Sequence, residues 1–340
     1  NVLINKTGPV LQLTTSDLEV QIRTSAELGG DDGNFSTTVG ARKLIDVLKT
    51  LPSDQTVTLE SGPDKIILKA GKSRFSLATL PSDDFPLVQE SANFGPEFQV
   101  PEKTLKKLLH QVSFAMAVQD IRYYLNGMLL VVEGKQVIAV ATDGHRLAYS
   151  HIELDASPTG NGQKQEIIIP RKTILECQHL LQDTDEPVDI SISNNQIKFN
   201  FGDIELISKL VEGKFPDYQR VIPKGHKNSL SINRETLQAA LQRAAILTTE
   251  KFKGVRFSLT NNKITIQSTN AEQEEAQEEI ETKYSGDAVE IGFNVSYLLD
   301  VLANIKNEEI QISLGDANSS AVITLPGSEA FKYVVMPMRI

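Results

Sequence analysis

Asp143, His145 and Arg146 stand within four consecutive positions, Asp143-Gly144-His145-Arg146. A carboxylate, an imidazole and a guanidinium this close could share a proton or grip an anion. An Asp-Gly pair between two apolar runs is also a strong short signal for a tight hairpin turn, and the turn is the preferred reading. A second cluster is acidic: Glu272, Glu274, Glu275, Glu278, Glu279 and Glu281. Such carboxylates could hold a divalent cation, but on a strand they would alternate between two faces. A solvated or partner-facing edge is therefore expected. No GxxxxGK[ST], HExxH, CxxC or GxSxG pattern occurs. The five histidines are scattered, and Gly160-Asn161-Gly162 in the polar stretch 156–164 reads as linker. The expectation is a non-catalytic protein with no metal and no cofactor. A metal-dependent nuclease using Asp143 and the Glu run is the enzyme alternative.

The elements that would position these residues recur. LQLTTSDLEVQIRT from Leu11, IAVATDGHRLAYSH from Ile138 and ITIQSTNAEQEEAQEEI from Ile264 share a strand, polar turn, strand pattern. A helix followed by alternating strands begins at Val39, Ile169 and Phe293. One unit is thus used about three times, and circularised copies make surfaces that no single copy has. Helices are expected at 41–50, 101–112, 170–182, 232–246 and 294–306. Pro101 and Pro170 suit first helical turns, and Asn233 and Asn294 suit N-caps. Propensity makes 272–281 helical; the repeat makes it a strand, and the repeat is followed. Strands with period-2 alternation are expected between, at 57–60, 65–70 and 74–80 among others. Linkers rich in Pro, Gly, Asn or Asp fall near 83–96 and 223–228. The fold class is α+β, in domains 1–95, 96–222 and 223–340. The second and third copies open with a helix, at 101 and 233, which the first lacks. With Asn at position 1, roughly thirty residues of helix and strand are expected to precede the chain.

Charge separates the elements. The chain of 340 residues carries 34 Lys and Arg against 44 Asp and Glu, a net −10. Within the five expected helices, eleven cations face five anions, which leaves −16 on the remainder. Helices grouped on one concave side would focus a positive field onto a polyanion despite the acidic total. Cys177 is the single cysteine, so an internal disulfide is excluded and a reducing compartment, the cytoplasm, is expected. No apolar run approaches the roughly 18 residues of a membrane span.

Seven stretches carry a family resemblance: 74–77 (RFSL), 122–128 (RYYLNGM), 141–147 (ATDGHRL), 215–218 (FPDY), 250–256 (EKFKGVR), 291–297 (IGFNVSY) and 333–340 (YVVMPMRI). In order, and over nearly the whole chain, they resemble the bacterial replicative sliding clamp, the DNA polymerase III beta subunit family. The resemblance implies three repeated clamp domains, each with two helices on antiparallel sheets. It implies a head-to-tail homodimer closing as a ring around double-stranded DNA, and a processivity factor that tethers a polymerase without sequence specificity. DNA contacts carry over onto Arg42, Lys49, Gln119, Tyr124, Arg171 and Lys172. Val118 stands where the family often has histidine, and packing is the expected role of Tyr123 more than of Tyr124.

The resemblance also implies a peptide-binding pocket for polymerase subunits, the clamp loader and repair polymerases. It carries over onto Leu125, Thr142, Gly144, His145, Arg146, Leu147, Pro216, Arg220, Val221, Asn294, Tyr297, Ser320, Val334, Val335, Met336, Pro337, Met338 and Arg339. Arg146 and Arg220 are expected on its polar rim. Leu147, Val221, Val335 and Met336 are expected to receive an apolar side chain. The dimer interface is expected to set Lys65, Lys69, Lys72, Arg74, Phe75 and Leu77 against Ile246, Leu247, Glu272, Glu274, Glu275 and Glu278, opposite charges around an apolar centre. No membrane partner is expected. A repeat scaffold that does not bind DNA is the remaining alternative.

Overall fold

The computed structural model describes residues 1–28, 32–158 and 163–340, so the Gly160-Asn161-Gly162 stretch read as linker lies outside the described residues. In chain order the first repeat gives β1 (Val2–Thr7), β2 (Val10–Ser16), β3 (Val20–Glu27), β4 (Phe35–Val39), α1 (Ala41–Thr50), β5 (Val57–Ser61), β6 (Lys65–Ala70) and β7 (Ser73–Leu80). The second gives β8 (Phe98–Pro101), α2 (Glu102–Ser113), β9 (Gly127–Glu133), β10 (Gln136–Thr142), β11 (Arg146–Glu153), β12 (Gln165–Pro170), α3 (Arg171–Leu180), β13 (Pro187–Ile192), β14 (Gln196–Phe201), β15 (Ile204–Lys209) and the short α4 (Tyr218–Val221). The third gives β16 (Asn228–Asn233), α5 (Arg234–Ala245), β17 (Gly254–Thr260), β18 (Lys263–Thr269), β19 (Glu275–Glu281), β20 (Val289–Asn294), α6 (Val295–Asn304), β21 (Glu309–Leu314), β22 (Ala321–Leu325) and β23 (Ser328–Val335).

The chain forms two compact units, 1–102 with 184–210, and 103–183 with 211–340. In the first, eleven strands make one sheet in the order β5-β6-β7-β4-β1-β2-β3-β15-β14-β13-β8. In the second, eight strands run β12-β9-β10-β11-β23-β22-β21-β16, and four more run β19-β18-β17-β20. The pairing is antiparallel. The sheets regroup the repeats, since the middle repeat supplies β8 and β13–β15 to one unit and β9–β12 to the other.

Alternation builds the strands. In β18 every second residue, Ile264, Ile266 and Ser268, turns into the core. Helix α5 buries Leu237, Ala240, Leu241 and Ala244, the i, i+3, i+4, i+7 stripe of an amphipathic helix. Each fully buried leucine there stabilises by roughly 1.5–3 kcal/mol. Asn233 and Asn294 cap as expected: their side chains accept the Thr236 and Ser296 N–H, each at 2.9 Å. The prolines differ from expectation. Pro101 and Pro170 close strands β8 and β12, and the helices begin one residue later. A proline at a strand's end forfeits no interior ladder bond. The acidic run becomes strand β19 over Glu275–Glu281, because pairing with β18 outweighs its helical propensity.

Candidate functional site

The Asp143-Gly144 pair turns the chain from β10 into β11. Gly144 has φ +90°, a backbone conformation that calls for glycine, and the Arg122 guanidinium lies close over it. Asp143 Oδ1 accepts the N–H groups of His145 (2.9 Å) and Arg146 (3.1 Å). Its Oδ2 accepts from Arg146 Nε at 3.1 Å. Thr142 Oγ1 donates to the Arg146 carbonyl at 2.6 Å and accepts the Gly144 N–H at 3.1 Å. The carboxylate is consumed in building the turn, which leaves the nuclease reading without its base.

Arg146 is where structure and expectation part. It was expected on a polar rim, yet its side chain is 10% exposed. Nη1 bonds Asp300 Oδ2 of α6, and Nη2 donates to the Phe114 carbonyl at 3.0 Å. The guanidinium lies 4.6 Å from the centre of the Tyr297 ring, and His145 stacks on that ring from 6.2 Å. A planar, five-donor cation satisfies all of these at once, which a lysine could not. Arg146 is a strut that fixes the β10–β11 turn to α6.

The C-terminal segment completes this region. Strand β23 pairs with β11 through Leu147–Val334 and Arg146–Val335, and with β22 through Ala321–Val335, which sets Ser320 beside the end of β23. Beyond it, Met336 N–H donates to the His145 carbonyl (3.0 Å) and Met338 N–H to the Gly292 carbonyl (2.7 Å). A Cβ on Gly292 would lie 2.3 Å from the Met338 carbonyl oxygen, so this close crossing depends on glycine.

Leu125, Leu147 and Val334 share one core cluster with Phe215 and Tyr218, and that packing carries Pro216, Arg220 and Val221 to the same place. Here too exposure corrects the expectation. Leu147, Val334 and Val335 are at most 1% exposed and form a packed wall, as do Leu125 and Thr142. Val221 (44%) and Met336 (48%) are the most exposed of the apolar side chains expected there. Arg220 and Arg339 are exposed, Pro337 and Met338 half-buried. Arg220 Nε meets Asp217 at 3.0 Å in full view of solvent.

The loop bearing Gln119 and Tyr124 is closed by a residue that the sequence reading missed. Asn126 Oδ1 accepts the Asp120 N–H and its Nδ2 donates to the Asp120 carbonyl, both at 2.9 Å. The Asn126 carbonyl accepts the Arg171 N–H at 3.0 Å, so one asparagine holds both the loop and the first turn of α3. The signal was the Asn126-Gly127 pair: a Cβ on Gly127 would stand 2.5 Å from the Ile169 carbonyl oxygen. Arg122 was missed as well. Its Nε and Nη2 grip Asp120 at 3.0 and 2.8 Å, and Nη2 also reaches the Asp143 carbonyl at 3.1 Å. These bonds, the Arg122 side-chain one first, hold the Asp120 carboxyl down at about 2.

Gln119 takes φ +53°, and Val118, Ile121 and Tyr123 stand out into solvent, Ile121 at 97%. Packing falls to the other tyrosine than expected. Tyr124 packs half-buried against the core cluster, while Tyr123 is 57% exposed. Arg171 is half-buried and Lys172 exposed at the start of α3. In the first unit, Arg42 and Lys49 are exposed on α1.

The expected interface residues fall in both units. In the first, Lys65, Lys72 and Arg74 are exposed, and Lys69 pairs with Glu60 of its own sheet at 2.5 Å. Phe75 and Leu77 are half-buried against the unit's own core, so only part of their surface is open. Strand β7 pairs with β4 through Thr79 and Leu80, so among the described residues one edge of 73–78 has no strand partner. In the second unit, β19 is an outer strand. Glu272, Glu274 and Glu275 are exposed, Ile246 is 76% exposed and Leu247 half-buried. Glu278 is the exception, because Arg243 of α5 holds it at 2.7 and 2.9 Å. Among the described residues, no helix is long and apolar enough to cross a membrane.

Comparison with known proteins covers the whole chain. Profiles of the N-terminal, central and C-terminal domains of the DNA polymerase III beta subunit match residues 1–89, 99–217 and 219–339. The chain is 46% identical over 345 residues to the beta sliding clamp of Pseudomonas aeruginosa, covering 100% of this chain and 92% of that one. A crystal structure of the DNA polymerase sliding clamp from P. aeruginosa with ligand superposes with a TM-score of 0.96 at 44% identity, over 100% of this chain and 92% of that one. A P. aeruginosa clamp bound to griselimycin gives the same TM-score and identity, with 100% and 91% covered.

Proposed function

The chain belongs to the DNA polymerase III beta subunit family, the non-catalytic sliding clamps of DNA replication, and from that premise we propose that two copies close head to tail into a ring around duplex DNA in the bacterial cytoplasm. Full-length similarity at a TM-score of 0.96 carries this reading. The local chemistry supports it. An open strand edge beside Lys72 and Arg74 and an outer strand beside Glu272, Glu274 and Glu275 are complementary in hydrogen bonding and in charge. A heterologous contact of this kind, used twice, closes as a two-fold ring. The division into domains 1–95, 96–222 and 223–340 belongs to the same proposal.

Arg42, Lys49, Gln119, Tyr124, Arg171 and Lys172 are proposed to meet phosphates. Such contacts position the duplex and read no sequence, as sliding requires. The surface around Val221, Met336, Pro337 and Arg339, with Arg220 at its rim, is proposed as the docking place for short extended peptides of polymerase subunits, the clamp loader and repair polymerases. Methionine suits a surface that must accept several partners. A relative's structure with griselimycin supports a ligand-accepting site on this fold.

Topology tests the ring. Protein loaded on a closed circular plasmid is expected to stay bound at high salt and to fall off when the plasmid is cut once. Retention after cutting at high salt would mean side-on binding and would end the ring proposal.

A further inference from the structure

A crevice of about 840 Å³ opens in the second unit between α2, the end of α6, and strands β11 and β23. That volume is typical of small-molecule sites. Its charge is one-sided. Lys103, Lys106 and Lys107 come from one face of α2, where i, i+3 and i+4 are neighbours, and Lys306 comes from just beyond α6. Asp183 is the carboxylate in the lining; it sits 3.6 Å from Lys106 and is 85% exposed. Lys107 and Lys306 make no ion pair among the described residues.

His110, one turn further along α2, records the field. Its ring is held below the ordinary imidazole value, first by partial burial and then by the charges of Lys306 and Lys106. From the β22 and β23 side the lining is mostly apolar, Leu325, Ala330 and Phe331 with Ser328 among them. Cations converging on a concave site with a mostly apolar side fit a ligand with the same division.

We propose that this crevice binds a nucleoside polyphosphate, with the phosphates on Lys107 and Lys306 and the base against the Leu325 and Ala330 wall. The proposal is independent of the ring. An apolar surface beside the cations favours a nucleotide over a bare anion, and a volume of about 840 Å³ favours one nucleotide over a polymer.

The test titrates the whole protein with ATP, inorganic triphosphate, adenosine and a single-stranded oligonucleotide, by calorimetry and by NMR of the His110 ring. ATP is expected to saturate, triphosphate to bind about tenfold more weakly, and adenosine not to bind. ATP should raise the His110 titration midpoint, because its charge offsets the lysines that depress it. Lys107→Ala with Lys306→Ala should weaken ATP at least tenfold at an unchanged melting temperature, since both side chains are exposed. An unmoved His110 midpoint, equal binding of ATP and triphosphate, or a double variant that binds like the parent would overturn the proposal. So would an oligonucleotide that displaces ATP at lower concentration, which would make the crevice a nucleic-acid contact.

Discussion

Arg146 and Arg220 were expected to share one rim, and the fold gives them opposite situations. Arg146 is 10% exposed, with partners in the Asp143 carboxylate, the Asp300 carboxylate and the Phe114 carbonyl. Arg220 is 88% exposed, with Asp217 as its ion-pair partner. Between them lies Arg122, 45% exposed, which ties Asp120 to the Asp143 carbonyl. One residue type thus serves as strut, as clasp and as free surface. The difference teaches that a resemblance names the residues of a site without separating those that touch a ligand from those that hold the site in shape.

Arg146→Ala is the harshest test of that separation. It strands two carboxylates and a carbonyl, and breaking such a pair typically costs about 3 kcal/mol or more. Urea denaturation should register the loss, and Arg146→Lys should recover little of it, because an ammonium cannot span the same acceptors. A loss under about 0.5 kcal/mol would put Arg146 back on the rim. Met336→Ala should do the reverse. Its side chain is exposed, so stability should stay within about 0.5 kcal/mol. The affinity for a short extended peptide carrying one Gln and an apolar side chain should fall about tenfold, as for an anchoring contact. Unchanged affinity would move the groove elsewhere. Arg220→Ala should be the mildest, within about 0.5 kcal/mol in stability, with a peptide affinity that weakens less than that of Met336→Ala. A larger affinity loss than Met336→Ala would make the rim, not the apolar floor, the recognition element.

Elements with a period were legible. The five long helices lie within two residues of expectation at most ends, because apolar stripes and Asn caps mark them locally. Strand β4 was passed over: FSTTV is short and polar, and its last residue was read as the helix approach. The Asp-Gly turn was readable as chemistry of the backbone. Burial of Arg146 was not, since it depends on Asp300, 154 positions away. The pairing of Glu278 with Arg243 was not legible either, since the two lie 35 positions apart. Which tyrosine packs was misread for the same reason: exposure there is set by the cluster around Leu125 and Tyr218, which the local sequence does not display. The regrouping of the middle repeat between two sheets rests on pairings such as β3 with β15, beyond any local pattern.

That last pairing has a consequence in time. Strand β3 ends at Glu27, and its outer edge is covered by β15, which begins at Ile204. A ribosome adding 5–20 residues per second needs roughly ten to thirty-five seconds to pass between them. Through that interval the first unit has an open sheet edge, the kind of edge that recruits other chains. Arg23 and Glu27 on β3 put charge along it, which discourages such pairing until Glu205 arrives to meet Arg23 at 3.1 Å. Strand β11 waits about as long, because its partner β23 is the last strand among the described residues. A nascent chain stopped short of Val335 would therefore leave the ribosome with the second sheet unsealed along its middle, and aggregation of such fragments is the outcome that synthesis must outrun.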